Sequence, residues 1–97
     1  HITGGGITEN IPRVLPASLD AQIDTSTWQQ GPVFDLLQQQ GNIETQEMRR
    51  TFNCGVGMVV VVNADDADKA IALLGNNGES AWCIGRIVAG SQEVAYV

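Results

Sequence analysis

The sequence predicts an α/β fold of the α+β kind, in which helices pack on a mixed, largely antiparallel sheet of about four or five strands. Three observations lead there. The 97 residues fit a single domain, 1–97. The chain is 43% hydrophobic and only 16% charged, as globular proteins are. Segments with strand and helix patterns alternate along most of its length, and no internal repeat interrupts them.

Three segments have helical patterns. Pro32–Gln40 spaces its apolar residues as a helix does, with proline at the first position and Gly41 as the C-terminal cap. In IETQEMRRTF, Met48 and Phe52 form an apolar pair four residues apart. From Asp65, DDADKAIALLG has acids in its first turn, an apolar stripe and a glycine at its end. We expect three helices.

Strand patterns occupy most of the remainder. GMVVVV, from Gly57 to Val62, is a continuous β-branched run and predicts a central strand that is buried on both faces. AWCIGRIVA and EVAYV predict two strands joined by the GSQ turn, in a hairpin. The earlier segment AQID adds a candidate strand.

Composition restricts the class of function. Five basic against 11 acidic residues give a net charge of −6, which repels nucleic acid and anionic membranes, so we expect neither as a partner. The longest apolar run, Met58–Val62, is too short to cross a bilayer, and the first residues have no export pattern. These features predict a soluble, cytoplasmic protein.

The cysteine and histidine content gives no catalytic constellation. Cys54 and Cys83 form no CxxC pair and no Cys/His cluster, so we expect no metal site and interpret both as small buried hydrophobic residues. His1 is the only histidine, and a histidine at a chain terminus is more often mobile than catalytic. A hydrolase with a Ser/His/Asp or Cys/His site is therefore disfavoured.

Two segments, TGGGITEN and NCGVGM, contain more glycine than their secondary structure needs. Successive backbone N–H groups in such loops can bind an anion, and nearby arginines favour phosphate: Arg13 follows the first segment, and Arg49 and Arg50 precede the second. Glycine clusters also serve turns and close packing, and that interpretation stays open. Neither segment matches GxxxxGK[ST] or GxGxxG, which disfavours an independent ATP or dinucleotide site.

The combination of HITGGGITENIPRVLP with MRRTFNCGVGMVVVV resembles the C-terminal domain of the aminoimidazole ribonucleotide synthetase family, also called phosphoribosylformylglycinamidine cyclo-ligases. The resemblance covers essentially the whole chain. HITGGG with ENIPRVLP is specific to the family, whereas GVGM alone is weak. The resemblance implies that the N-terminal, ATP-binding half is absent and that the chain is a domain from a longer enzyme.

The family resemblance implies an ATP-dependent ligase of purine biosynthesis. Its substrates are formylglycinamidine ribonucleotide and ATP, and its products are aminoimidazole ribonucleotide, ADP and phosphate. ATP and magnesium belong to the full-length enzyme, with none expected tightly bound to this domain, which we expect to be inactive alone. The implied protein partners are its own N-terminal domain and, for the full-length enzyme, a second copy in a homodimer.

The same resemblance implies a set of site residues in a cleft that faces the N-terminal domain. His1 is the catalytic candidate, as a polar contact or general acid/base, and Arg13 could bind phosphate or form an interdomain ion pair. The implied substrate- or phosphate-binding residues are Thr3, Gly4, Gly5, Gly6, Asn10, Arg13, Asn53, Gly55 and Gly57. No metal ligand is implied.

Two alternatives remain open at this stage. Related ATP-dependent enzymes, such as formylglycinamidine ribonucleotide synthetase and thiamine-monophosphate kinase, share the fold with different chemistry, although ENIPRVLP and RTFNCGVGM favour the cyclo-ligase. A non-catalytic α/β binding module would instead carry a complete ligand site or partner surface. A domain from a longer enzyme predicts an exposed apolar patch where the N-terminal domain packs.

Overall fold

Four α-helices and a three-stranded sheet make up the computed structural model, which describes all residues from His1 to Val97. The helices are α1 (Gly6–Asn10), α2 (Pro32–Gly41), α3 (Thr45–Thr51) and α4 (Ala67–Asn76). The strands are β1 (Leu19–Ile23), β2 (Gly85–Ala89) and β3 (Val94–Tyr96). Short 3₁₀ helices span Ile11–Val14, Thr25–Thr27 and Ala64–Asp66. The α+β prediction is confirmed, with three strands instead of four or five and with α1 as an additional helix.

The sheet is mixed, with β1 at its centre in the order β2-β1-β3. β1 runs antiparallel to β2, with Ala21 opposite Ile87, and parallel to β3, with Ala21 opposite Val94. The segment AQID thus supplies most of the central strand, although it was the least marked of the strand patterns. GMVVVV, predicted to be central, is not part of the sheet.

The predicted hairpin between AWCIGRIVA and EVAYV is wrong, because β1 lies between β2 and β3. The side chain of Asp20 on β1 explains the course of the connection. One of its carboxylate oxygens accepts hydrogen bonds from the backbone N–H of Ser91 at 2.7 Å and of Glu93 at 2.8 Å. The loop is therefore held around the end of β1, and the two strands that it joins lie on opposite sides of β1.

The core is built from the first part of the chain. All 11 buried residues lie between Ile2 and Val56. Seven of them form one apolar cluster: Ile2, Ile7, Ile11, Leu15, Ala21, Ile23 and Val56. The cluster joins α1 and the 3₁₀ helix after it to the central strand, so the segment HITGGGITENIPRVLP is anchored against the sheet.

The run Met58–Val62 corrects the prediction of a strand buried on both faces. It lies in no helix or strand, and Met58 is 66% exposed and Val60 59% exposed. Only Val59 packs against the core cluster. A β-branched sequence fits a pleated, covered surface but does not form a strand alone, and both edges of β1 are already occupied by β2 and β3.

The helix predictions are confirmed, with small differences at the ends. α3 falls within its predicted segment. α2 includes Gly41, which was predicted to be its cap, and the capping residue is Asn42 with φ 49°. α4 is preceded by its own 3₁₀ turn and continues to Asn76, so Gly75 lies inside the helix and does not end it. The rings of Phe34 and Phe52 contact each other, with centroids 6.0 Å apart, and so connect α2 to the end of α3. No helix is long and apolar enough to span a membrane.

The two cysteines differ. Cys54 is buried, as predicted, and its Sγ donates to the carbonyl oxygen of Met48 at 3.4 Å. Cys83 is exposed, so the prediction of a buried residue is wrong there. It lies between α4 and β2, in a segment with no buried residue to pack against.

Candidate functional site

The first glycine-rich segment forms a tight turn into α1. Gly5 has φ +98° and Gly6 has φ +60°, a region that residues with a Cβ rarely adopt. A Cβ at Gly6 would also overlap the carbonyl oxygens of Arg49 and Phe52 on the α3 side. The tight turn and the close approach of α1 to α3 therefore explain why glycine stands at these two positions.

The carboxamide of Asn10 holds this turn from inside. Asn10 is 8% exposed, the one polar side chain among the buried residues. Its Nδ2 donates to the carbonyl oxygens of Thr3 at 3.2 Å, Gly4 at 3.3 Å and Gly6 at 2.8 Å. Its Oδ1 accepts a hydrogen bond from Oγ1 of Thr3 at 3.2 Å. Because the turn directs these carbonyl oxygens inward, Asn10 fixes its shape.

A cation is attached to the same network. One terminal nitrogen (Nη1) of the Arg13 guanidinium donates to Oδ1 of Asn10 at 3.2 Å, and the rest of the side chain is exposed. Asn10 and Arg13 are three residues apart at the junction of α1 and the following 3₁₀ helix, which places both side chains on one side. The exposed guanidinium remains available to an anion or to a carboxylate.

The second glycine-rich segment forms a separate turn next to the first. Oδ1 of Asn53 accepts from the N–H of Gly55 at 2.9 Å, and Gly55 has φ +94°. The N–H of Ile2 donates to the carbonyl oxygen of Gly57 at 2.8 Å, which connects the two segments. Motifs that are about 50 residues apart in sequence are thus neighbours in space.

An open cavity of about 290 Å³ lies where the two turns meet. It brings together three of the predicted site residues, Thr3 and Gly4 from the first segment and Asn53 from the second. The rest of its lining comes from four residues that were not predicted to belong to the site: Ile2, Phe34, Thr51 and Phe52. Phe34 and Phe52 had only the helical apolar spacing as a signal, and that spacing indicates packing instead of ligand contact.

The remaining predicted residues do not line this cavity. His1 is exposed at the terminus, and Gly5, Gly6 and Asn10 shape the turn through their conformation and hydrogen bonds without lining the cavity. Gly55 faces the carbonyl oxygen of Gln30, and Gly57 takes part through its backbone bond to Ile2. No charged side chain lines the cavity.

A second polar cluster joins α1, α3 and β3. The guanidinium carbon of Arg49 lies 4.5 Å from the ring centroid of Tyr96, and the Tyr96 hydroxyl is 2.7 Å from Oγ1 of Thr8. Burial raises the pKa of Tyr96 above its usual value, against the smaller opposing effects of the Thr8 hydrogen bond and the Arg49 charge. Tyr96 is therefore a neutral phenol at physiological pH, and the cluster fixes the relative positions of the three elements.

The buried thiol of Cys54 is also uncharged. Burial raises the pKa of Cys54 above its usual value, and the charge of Arg49 offsets this only in part. The thiolate is the reactive form of cysteine, so Cys54 lacks the character of a nucleophile. Its carbonyl oxygen accepts a hydrogen bond from Nε1 of Trp28 at 3.0 Å, which is a structural contact.

Comparison with known proteins gives a consistent result. Residues 1–97 match the family described as AIR synthase related protein, C-terminal domain. A protein of Nitrosococcus oceani is 57% identical over 99 residues, which cover 99% of this chain and 28% of that protein. A protein of Methylobacillus flagellatus is 61% identical over 89 residues, covering 92% of this chain and 26% of that protein.

A protein of Neisseria meningitidis is 60% identical over 87 residues, covering 90% of this chain and 25% of that protein. All three relatives carry the name phosphoribosylformylglycinamidine cyclo-ligase. The chain spans about a quarter of the length of these relatives.

Proposed function

The chain belongs to the family of AIR synthase related protein C-terminal domains, and from that membership we propose that it is the C-terminal part of a phosphoribosylformylglycinamidine cyclo-ligase. The observation that carries the proposal is 57% identity across 99% of the chain to a protein with that name. The match includes both glycine-rich segments, which the fold places side by side.

The proposed reaction closes an imidazole ring and converts ATP to ADP and phosphate. ATP phosphorylates the formyl oxygen of formylglycinamidine ribonucleotide and leaves as ADP. An amidine nitrogen then attacks the activated carbon, and phosphate departs with the former formyl oxygen to give aminoimidazole ribonucleotide. Such chemistry needs two charged substrates held in line, which positioned N–H donors and cations accomplish without a covalent nucleophile.

In this proposal the chain contributes one wall of the substrate cleft. The cavity offers the hydroxyl of Thr3, the backbone of Gly4 and the carboxamide of Asn53, and a Cβ placed at Gly4 would meet nothing within 4 Å. A ligand can therefore approach that backbone closely. Because the lining has no charge, the cations that balance the substrate phosphates come from Arg13, whose exposed side chain is bonded to Asn10, and from the rest of the protein.

The cavity of this chain offers no carboxylate to a magnesium ion. Magnesium in phosphate-transfer sites is usually held by one or two carboxylates together with substrate phosphates, and no three or more His, Cys, Asp or Glu side chains of this chain are grouped so that they could hold a metal ion alone. Following the resemblance, we assign ATP and magnesium to the remainder of the complete protein. For that protein, the homodimer and the cytoplasmic location implied by the resemblance stay predictions.

A chimaera tests the proposed function. The 97 residues would replace the segment of the Nitrosococcus oceani relative that they match, and ring closure would be followed together with ADP release. We expect kcat/KM within about tenfold of the unmodified relative, a loss of at most about 1.4 kcal/mol of transition-state stabilisation. The relative without its matching segment is the control for background activity.

Two outcomes would contradict the proposal. The first is a chimaera that has the circular dichroism spectrum and oligomeric state of the relative but does not close the ring. The second is ATP-dependent phosphate transfer to thiamine monophosphate in place of ring closure, which would favour the kinase-type enzymes that share the fold.

A further inference from the structure

The run Met58–Val62 is an apolar segment without a strand partner. Its five residues lie in no helix or strand, and no backbone hydrogen bond outside the regular elements involves any of them. A row of unpaired peptide groups beside apolar side chains is what an isolated edge strand presents. Proteins usually cover such an edge with another element, pair it with another strand or interrupt it with charged residues.

The side chains of the run are exposed on both sides of the backbone. Met58 and Val60 are 66% and 59% exposed, and Val61 is 54% exposed, whereas Val59 packs against the core cluster. Residues one apart in a strand point to opposite faces, so a strand here would have apolar side chains on both faces. Such a strand is stable only between covered faces and beside another strand.

Nothing within the 97 residues pairs with the run. The central strand β1 is bonded on both edges, and although β2 and β3 each have one free edge, no strand pairing of the sheet includes residues 58–62. About three quarters of the length of the relatives lies outside the matched region. The relatives therefore have ample chain from which a partner strand could come.

We propose that Met58–Val62 forms a β-strand in the complete protein by pairing with a strand from the part of the same polypeptide outside these 97 residues. The partner strand has apolar side chains and a free edge. A second copy of this domain is a poorer partner because each copy has a net charge of −6, and Asp65 and Asp66 follow the run directly. The inference does not depend on which reaction the protein catalyses.

Amide hydrogen exchange of the complete protein tests the inference. Peptides covering residues 57–63 would be followed by mass spectrometry, with the same peptides in the 97-residue chain as reference. We expect exchange at residues 58–62 to be at least about 100-fold slower than in an unstructured peptide. Exchange at the unstructured rate in the complete protein would overturn the proposal. Protection that also develops in the 97-residue chain when its concentration rises would overturn it too, because the partner would then be a second copy of the chain.

A matched pair of variants separates strand pairing from general destabilisation. Val60→Lys introduces a charge into the run, and Val33→Lys introduces the same charge on α2, where Val33 is 67% exposed. In the complete protein we expect Val60→Lys to remove the protection at residues 58–62 and Val33→Lys to leave it unchanged. Equal protection in both variants would overturn the inference. If Val60→Lys fails to fold, exchange in the unmodified protein still decides.

Discussion

Two apolar regions of the chain have opposite environments. All buried residues lie between Ile2 and Val56, while Met58–Val62 and the whole of α4 contain none. Both regions are rich in aliphatic side chains. The first has turns and polar contacts that bring its elements together, whereas in the second only Val59 packs against the core cluster. Apolar sequence alone thus indicates which residues need covering but not what covers them.

The largest expected effect on stability comes from comparing alanine substitutions at two glycines, one from each region. Gly6→Ala should destabilise the protein by about 4 kcal/mol or more, since the left-handed conformation and the overlap with two carbonyl oxygens add. Gly75→Ala is the matched control. It lies in α4 with nothing within 4 Å of a new Cβ, so we expect about 0.5–1 kcal/mol of stabilisation. Urea unfolding measures both, and similar effects would contradict the contrast.

The second comparison concerns aliphatic packing. Ile7 is 2% exposed and Leu73 is 64% exposed. We expect Ile7→Ala to cost about 3 kcal/mol and Leu73→Ala about 0.5 kcal/mol or less in unfolding free energy. If Leu73→Ala costs as much in the complete protein as Ile7→Ala, then α4 is covered there too, which would extend the unpartnered surface beyond Met58–Val62.

The third comparison is between two asparagines. Nδ2 of Asn10 makes three donations to the turn, of which the one to Gly6 is buried and the other two are partly buried. Nδ2 of Asn77 makes one exposed bond, to the carbonyl oxygen of Leu73 at 2.7 Å. Asn10→Ala should cost about 1–3 kcal/mol because it removes all three bonds, including the buried one, and Asn77→Ala less than about 1 kcal/mol. Thermal unfolding followed by circular dichroism provides the measurement. A smaller loss for Asn10→Ala than for Asn77→Ala would show that the turn holds its shape without the carboxamide.

The proposed cleft wall gives a functional comparison. Gly4→Ala should fold normally, because its new Cβ has open space, but should raise KM for the ribonucleotide by about tenfold if the ligand contacts that backbone. Gly75→Ala, outside the cavity, is the control. Steady-state kinetics of the chimaera measures both, and an unchanged KM for Gly4→Ala would remove Gly4 from the site.

The smallest effect depends on pH. Tyr96→Phe removes the hydrogen bond to Thr8 and should cost about 0.5–1.5 kcal/mol near neutral pH. Burial raises the pKa of Tyr96 above its usual 10.0, so the neutral phenol stabilises the fold below pH 10.0, and this contribution declines as pH rises and the unfolded chain ionises first. The difference in unfolding free energy between the unmodified protein and Tyr96→Phe should therefore be smaller above pH 10 than at pH 8. A widening gap would contradict the assigned direction.

Local patterns predicted the helices well. The apolar spacing, with Pro32 at the start of α2 and acidic residues before α4, identified these two helices, and AQID identified most of β1, because these signals depend on residues close in sequence. The predicted glycine caps were wrong, because Gly41 and Gly75 lie inside the helices. The neighbours of each strand depend on distant contacts. β1 lies between β2 and β3, and the carboxylate of Asp20 holds the loop that connects them, which no local pattern near GSQ reveals.

In the candidate site, too, local sequence signals were predictive and contacts between distant residues were not. The glycine-rich motifs indicated Thr3, Gly4 and Asn53, which meet at one cavity. The aromatic lining from Phe34 and Phe52 was not predicted, because an apolar residue on a helix has the same sequence signal whether it packs or faces a cavity. The inward orientation of the Asn10 carboxamide also depends on the folded turn.

The position of β1 between β2 and β3 determines when the sheet can form during synthesis. Residues 19–23 leave the ribosome long before residues 94–96, yet they pair with both later strands. Contacts of such large sequence separation form slowly and late. The nascent chain must therefore carry its central strand unpaired until almost all of the 97 residues have been made. During that interval both edges of β1 are unpaired, and unpaired strand edges make a nascent protein prone to aggregation.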